Sequence, residues 1–356
     1  MNNTVSFIDG IKVGQTGKSS ELTGCTVAVL GEGASVGVDI RGGAPGSYNF
    51  GCFLPTTQRE TADAIFLSGG SFFGLDVAKG VRDFLVDSER GWDTGRGVMP
   101  CVAGAIIYDL EVADMGVHPD EDMGYEAAKR ASSDPVSEGN YGAGLGATCG
   151  KLLGMDSCMK GGVGSSISVF RNGLQVGAIA VVNCVGNVFD YCEGRTVAGT
   201  RREDGKGFLE PEELYNSLSF PLPATPHMDM NTTIGLVATN VKITKKEATK
   251  IAEMSHDGLA RAINPIHTLR DGDTIFAVGT GELSLPPVNP LSLARGPKFH
   301  DEEDTPLSEF MDRSNFISFI GHLASEEIRK SVVRAVLNAD SVEGIPSAKD
   351  YTRECV

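Results

Sequence analysis

The chain has 356 residues, 41% of them hydrophobic, and a formal net charge of −16. It is long enough to bury a sizeable core in one large domain or two ordinary ones, and its acidity sets it against nucleic acid and anionic membrane as primary partners. The start, Met1-Asn2-Asn3-Thr4-Val5, has no basic region before an apolar one, no run approaches a membrane span, and eight cysteines without a Cys-x-x-Cys pair suit reduced thiols; the expectation is a cytoplasmic, soluble protein.

In chain order, Cys25 to Leu30 reads as a strand, and Gly37 to Gly46 as a glycine-rich turn. Ala64 to Leu67 reads as a buried strand. A helix follows on the spacing of Phe73, Val77, Val81, Phe84 and Leu85, with Gly91 to close it. Ser71 sits between them, but Phe73 stands where a nucleophile elbow requires glycine, so Ser71 is a poor nucleophile. Ala103 to Leu110 is a further short strand, in which Tyr108 reads first as core packing.

The 45 glycines are unusual in number and they cluster, which predicts tight turns and a site assembled from loops. The densest stretch is Gly139 to Lys151. It fails as a phosphate loop, because Leu145 and Leu152 replace a glycine and a magnesium-binding hydroxyl, and as a dinucleotide loop, because Cys149 replaces the last glycine. What remains is a tight loop presenting Lys151. Gly161 to Val169 and Val176 to Val182 read as strands, the second delivering Asn183.

From Glu193 to Met230 the texture is polar, with Pro221, Pro223 and Pro226, an exposed approach to the pair Asn231–Thr232. Thr232 heads a strand through Val237. Thr244-Lys245-Lys246-Glu247 is a capping box opening a helix that buries Ile251, Met254, Leu259 and Ala262 and stops before Pro265. His267 to Val278 is a turn feeding a strand, Pro286 to Leu307 a solvated acidic insertion, and Phe316 to Leu337 a helix.

The pair Asn231–Thr232 carries the chemistry. It fits an ordinary strand start or a glycosylation acceptor, but a reduced cytoplasmic setting removes the latter. If the bond before Thr232 breaks, the residue becomes an N-terminal nucleophile whose α-amine, with an ordinary pKa of about 7.7–8.0, serves as its own base.

Taken together, Gly37–Gly46, Ser68–Gly80, Gly139–Lys151, Asn231–Asn240 and His256–Val278 resemble the DmpA-type family of self-processing aminopeptidases, and within it the nylon-oligomer hydrolases. The likeness spans most of the chain, and Asn-Thr-Thr-Ile with His-Thr-x-x-Asp-Gly-Asp-Thr-x-Phe-Ala-Val is its most specific part. The resemblance implies an α+β fold, a four-layer α-β-β-α sandwich, cut into residues 1–231 and 232–356. It places the nucleophile on Thr232 and the site on Tyr108, Lys151, Asn183, Asp271 and Asp273. DmpA-type aminopeptidases use serine as nucleophile and have other residues at Asp-Gly-Asp, so this chain follows a threonine branch.

The resemblance further implies a homo-oligomer acting on short peptides or related amides, with no cofactor or metal. Asn183 is the first choice of oxyanion donor, with the charge of Lys151 and the hydroxyl of Tyr108 beside it. Lys151 would lower the pKa of the Thr232 amine, whereas Asp271 and Asp273 would raise it. Three rivals stand beside this reading: acyl transfer of the ornithine acetyltransferase type, a metal site on His267, Asp271 and Asp273, and a non-enzymatic small-molecule binder. Cys149 beside Lys151, without a paired histidine, reads as packing.

Overall fold

A computed structural model of the chain describes residues 2–113, 116–217, 231–285, 312–342 and 344–351. Its two five-stranded sheets are built, in chain order, from β1 (Ile11–Lys18), β2 (Thr23–Leu30), β3 (Ser35–Ile40), β4 (Ser47–Tyr48), β5 (Ala64–Ser68), β6 (Val102–Ile106), β7 (Gly162–Val169), β8 (Gln175–Asn183), β9 (Thr232–Val241) and β10 (Thr274–Leu283). The first sheet runs β1-β2-β5-β6-β4 and the second β7-β8-β9-β10-β3. The principal helices are α1 (Val77–Asp87), α2 (Glu121–Lys129), α3 (Lys245–Ala262) and α4 (Arg313–Asn338).

Side-chain alternation sets the layers. On β2, Cys25, Val27 and Val29 face α1 and α2, whereas Ala28 and Leu30 face the other sheet. On β9, Ile234, Leu236 and Ala238 point between the sheets, whereas Val237 and Val241 join the core made with α3 and α4. Strands buried on both faces read as apolar runs, and each large aliphatic side chain so buried contributes roughly 1.5–3 kcal/mol. The result is the expected α-β-β-α sandwich, with an apolar layer beneath each helix pair and a third between the sheets.

The helix boundaries follow local chemistry. Thr244 and Glu247 form the reciprocal capping box expected at the start of α3, which ends at Ala262 ahead of Pro265. Met254 is half-buried and lies over Gly321 of α4, where a Cβ would come within 2.4 Å of its sulfur. The C-terminal helix is continuous and buries Ile320, Ile328, Val332 and Val336.

Several expectations need correction. Gly37 to Ile40 belongs to β3, not to a turn; glycine enters the strand because α3 lies so close that a Cβ on Gly37 would be 2.1 Å from the Thr249 nitrogen. Phe73 is not on the helix. It sits in a 3-10 segment, Ser71–Asp76, about half exposed and stacked on His118 at 4.7 Å. The strand of Tyr108 stops at Ile106, so Tyr108 lies in the following turn. The polar connection from Glu193 contains a strand, Arg195–Ala198, and a short helix, Pro211–Ser217. Its prolines Pro221, Pro223 and Pro226, and the whole acidic insertion from Pro286 to Leu307, lie outside the described residues. Among the described residues no helix is long and apolar enough to cross a membrane.

Candidate active site

Thr232 is the first residue of β9, the middle strand of the second sheet, antiparallel to β8 and parallel to β10. Strand pairing sets Asn183 directly across from it. The bond before Thr232 is not exposed as the sequence suggested: Asn231 is 2% and Thr232 4% accessible. Apolar neighbours on both faces of β9 account for this, since the strand begins inside the sandwich.

The Thr232 hydroxyl donates to the carbonyl oxygen of Asn231, the carbonyl it would have to attack. The same oxygen accepts the Gly272 N–H at 3.0 Å, while the Asn231 N–H donates to Arg270 O at 3.2 Å. The peptide is thus held from the neighbouring Arg270–Gly272 turn, alongside which Asn231 forms a parallel bridge to Asp271.

That turn is an organised acidic clamp. Asp271 Oδ2 accepts the Thr268 N–H at 2.6 Å, and the Asp271 carbonyl accepts the Ala44 N–H at 2.8 Å. Asp273 Oδ1 accepts the Thr233 N–H at 2.6 Å, and its Oδ2 accepts both the His267 N–H, at 3.1 Å, and His267 Nδ1, at 2.8 Å. Burial, then the charge of Asp273, pushes the Asp271 carboxyl above its ordinary pKa. The turn fits only because its neighbours lack side chains. A Cβ on Gly42 would meet the Asp271 carbonyl oxygen at 2.1 Å, and one on Gly43 the Leu269 Cα at 2.6 Å.

Across the strand, Asn183 is fully buried and its amide is oriented at both ends. Oδ1 accepts the Thr148 N–H at 3.0 Å, the Thr148 hydroxyl at 3.2 Å and Lys151 Nζ at 3.2 Å. Nδ2 donates to the Tyr108 carbonyl at 2.8 Å. Lys151 is buried, and desolvation lowers its pKa because the cation loses water. Tyr108 therefore joins this network through its backbone; burial first, and Glu111 second, raise the pKa of its phenol.

The glycine-rich loop holds Lys151 in place. Gly150 has φ +71°, and a Cβ there would collide with the Gly199 backbone at 2.0 Å. A second buried lysine, Lys160, donates to the carbonyls of Gly144 at 3.0 Å and Ala147 at 2.7 Å, and burial lowers its pKa to about 8.

The fold thus gathers Thr232, Asn231, Asn183, Lys151, Asp271 and Asp273, with Tyr108 attached by its carbonyl. Sequence reading missed the Gly272 N–H, because a backbone donor has no residue identity, and it read His267 only as a metal ligand. The glycine of Asp-Gly-Asp was the available signal. A Cβ there would sit 2.8 Å from Thr232 Oγ1.

The family model described as Peptidase family S58 matches residues 3–349. An uncharacterized aminopeptidase of Mycobacterium tuberculosis is 35% identical over 361 residues, covering 98% of this chain and 97% of that protein. The 6-aminohexanoate-oligomer endohydrolase of Kocuria sp. is 31% identical over 280 residues, 78% of this chain and 75% of the enzyme. Among solved structures, a Burkholderia sp. beta-aminopeptidase aligns with TM-score 0.65 at 22% identity, over 100% of this chain and 94% of that one. The L-aminopeptidase D-Ala-esterase/amidase of Ochrobactrum anthropi, described as a new variant among the Ntn hydrolase fold, aligns with TM-score 0.66 at 17% identity, over 99% of this chain and 92% of that one.

Proposed function

The chain belongs to peptidase family S58, and from that premise we propose that it completes its own active site by cutting the backbone between Asn231 and Thr232. It is a hydrolase of peptide or amide bonds, and its relatives favour hydrolysis over acyl transfer. The observation that carries the proposal is the Thr232 hydroxyl resting on the Asn231 carbonyl oxygen while the Gly272 N–H holds that oxygen at 3.0 Å.

In the precursor, Thr232 Oγ1 adds to the Asn231 carbonyl carbon. Negative charge grows on the oxygen that Gly272 already contacts, and a donor fixed beforehand needs no reorganisation as charge develops. Collapse breaks the C–N bond as the proton lost by Oγ1 passes to the departing Thr232 nitrogen, leaving an ester to Oγ1 and a free Thr232 amine. Water then hydrolyses the ester, giving residues 1–231 with a new carboxylate and residues 232–356 with an N-terminal threonine.

In the mature enzyme the Thr232 amine takes the hydroxyl proton, Oγ1 attacks the substrate amide, and the amine returns a proton to the leaving group. Water releases the acyl-Thr232. Asn183 and Lys151, opposite Thr232 on β8 and its adjoining loop, are the polar groups assigned to the substrate oxyanion, with Tyr108 beside them. Asp273 and Asp271 fix the start of β9 and supply negative charge that raises the amine pKa.

The substrates assigned to this site are short peptides or related amides, including ω-amino acid amides of the kind named for the Kocuria enzyme. Cytoplasmic residence belongs to the same proposal, supported by seven free cysteines among the described residues. So does a homo-oligomer, supported by family likeness alone and checked by light scattering.

The test is the denatured mass and N-terminal sequence of purified protein beside Thr232→Ala. Two fragments, the smaller starting Thr-Thr-Ile-Gly, with an uncut variant, are expected. An uncut wild-type chain under every folding condition overturns the mechanism.

A further inference from the structure

We propose that His267 is a positioning residue for the reaction at Thr232: through Nδ1 it locks the Asp273 carboxylate in the one orientation that holds the start of β9. The inference rests on Thr232 being the nucleophile. Asp273 Oδ2 accepts the His267 backbone N–H, and because a carboxylate only accepts, Nδ1 donates to the same oxygen and carries the ring proton. The other oxygen, Oδ1, accepts the N–H of Thr233, one residue beyond the nucleophile. Removing the Nδ1 donor leaves the carboxylate freer to turn about its terminal torsion, which is broad for aspartate. The Thr233 amide and the Thr232 hydroxyl then lose a fixed reference.

Three further observations mark this histidine as more than filler. Its backbone has φ +59°, a left-handed conformation that non-glycine residues seldom adopt and that persists only where the surroundings hold it. Its ring packs edge-on against His256 at 4.9 Å. His256 is itself fully buried and tethered to the Asp39 carbonyl through Nε2 at 3.1 Å, so the His267 ring has a rigid backing. Finally, His267 Nε2 is buried without a hydrogen-bond partner among the described residues. A position selected only for stability gains nothing from that nitrogen, which is desolvated without compensation.

Asparagine and glutamine separate the roles. Asparagine places its amide nitrogen where Nδ1 stands and tolerates positive φ, whereas glutamine places it nearer Nε2. Wild type, His267→Asn and His267→Gln are compared for self-cleavage in pulse-labelled cell-free synthesis. The mature forms are then compared for kcat and KM on L-alanine p-nitroanilide. We expect His267→Gln to cleave itself at least tenfold more slowly and His267→Asn to stay within about threefold of wild type. In the mature enzyme kcat falls and KM changes less than twofold.

Independently of any variant, histidine-labelled ¹⁵N spectra of the wild type are expected to show His267 with its proton on Nδ1. Equal rates for His267→Gln and wild type, equal losses in both variants, or a proton found on Nε2 would each overturn the proposal. If wild type is cut and the histidine variants behave as wild type, only this inference fails. If wild type is never cut, the nucleophile assignment fails first and this inference with it.

Discussion

Replacing Gly272 with alanine isolates the placement of the nucleophile from the chemistry around it. The new Cβ would lie 2.8 Å from Thr232 Oγ1, 3.0 Å from the Ala44 carbonyl and 3.3 Å from Thr232 Cγ2, whereas ordinary contact begins at 3.4 Å. Relief requires the hydroxyl and the turn to part by about 0.6 Å, the difference between 3.4 and 2.8 Å. Threonine has little freedom to give way, because its branched Cβ restricts χ1. The alanine retains the N–H that contacts the Asn231 oxygen, so the oxyanion donor survives while the attacking atom moves. A displacement of 1 Å at a reacting group costs about a hundredfold in rate, so 0.6 Å should cost roughly tenfold, or about 1.4 kcal/mol of barrier.

The assay is pulse-labelled cell-free synthesis of the full chain with a timed chase, following loss of the uncut band. Gly51→Ala serves as the control, since nothing lies within 4 Å of a Cβ there. Thermal unfolding in the Thr232→Ala background checks that Gly272→Ala still folds. A folded Gly272→Ala chain that cuts itself at the wild-type rate would refute the placement of Thr232 Oγ1 against this turn.

Three other outcomes follow from the same geometry. Lys151→Met removes a buried ammonium bound to Asn183 Oδ1 at 3.2 Å and Asn183 O at 3.5 Å; self-cleavage, timed on gels, should slow by about 1.5–3 kcal/mol, roughly ten- to a hundredfold. Burial lowers the His256 pKa to about 3 against about 6.5 unfolded, so it stabilises the fold fully above pH 6.5 and progressively less as pH falls toward 3. Urea unfolding in the Thr232→Ala background should therefore show wild-type His256 losing about 2 kcal/mol more than His256→Gln between pH 7 and pH 5. Thr244→Ala should destabilise the chain by about 1 kcal/mol through loss of the α3 cap, measured by urea unfolding, without changing the self-cleavage rate.

The parts legible in the sequence were those written in local chemistry. Thr244 and Glu247 announce a helix start three residues apart, and the apolar run after Thr232 announces a strand, read as far as Val237 and carried by the structure to Val241. Asn183 could be placed at a strand end because its strand is continuous. Gly37 misled because a glycine reads as a turn unless one knows that α3 passes 2.1 Å from where its Cβ would stand. Phe73 kept helical spacing through a 3-10 segment, where the period no longer sets its face. The Gly272 N–H and the His267–Asp273 pair were invisible for a different reason. Their significance lies in which oxygen they meet, and β9 and the Asp-Gly-Asp turn, some forty residues apart in sequence, become neighbours only once the parallel pairing of β9 with β10 has formed.

The central position of β9 bears on how the molecule would come apart. A cut before Thr232 severs the chain at the edge of a strand paired on both sides with strands that fall on opposite sides of the break: β8 stays with residues 1–231, β10 with residues 232–356. The uncut chain unfolds and refolds as a single molecule. The cut form, once denatured, must find its other half by diffusion, so its recovery depends on protein concentration and competes with aggregation of exposed strands. Maturation would thereby trade a reversible fold for one whose lifetime is set by its unfolding rate.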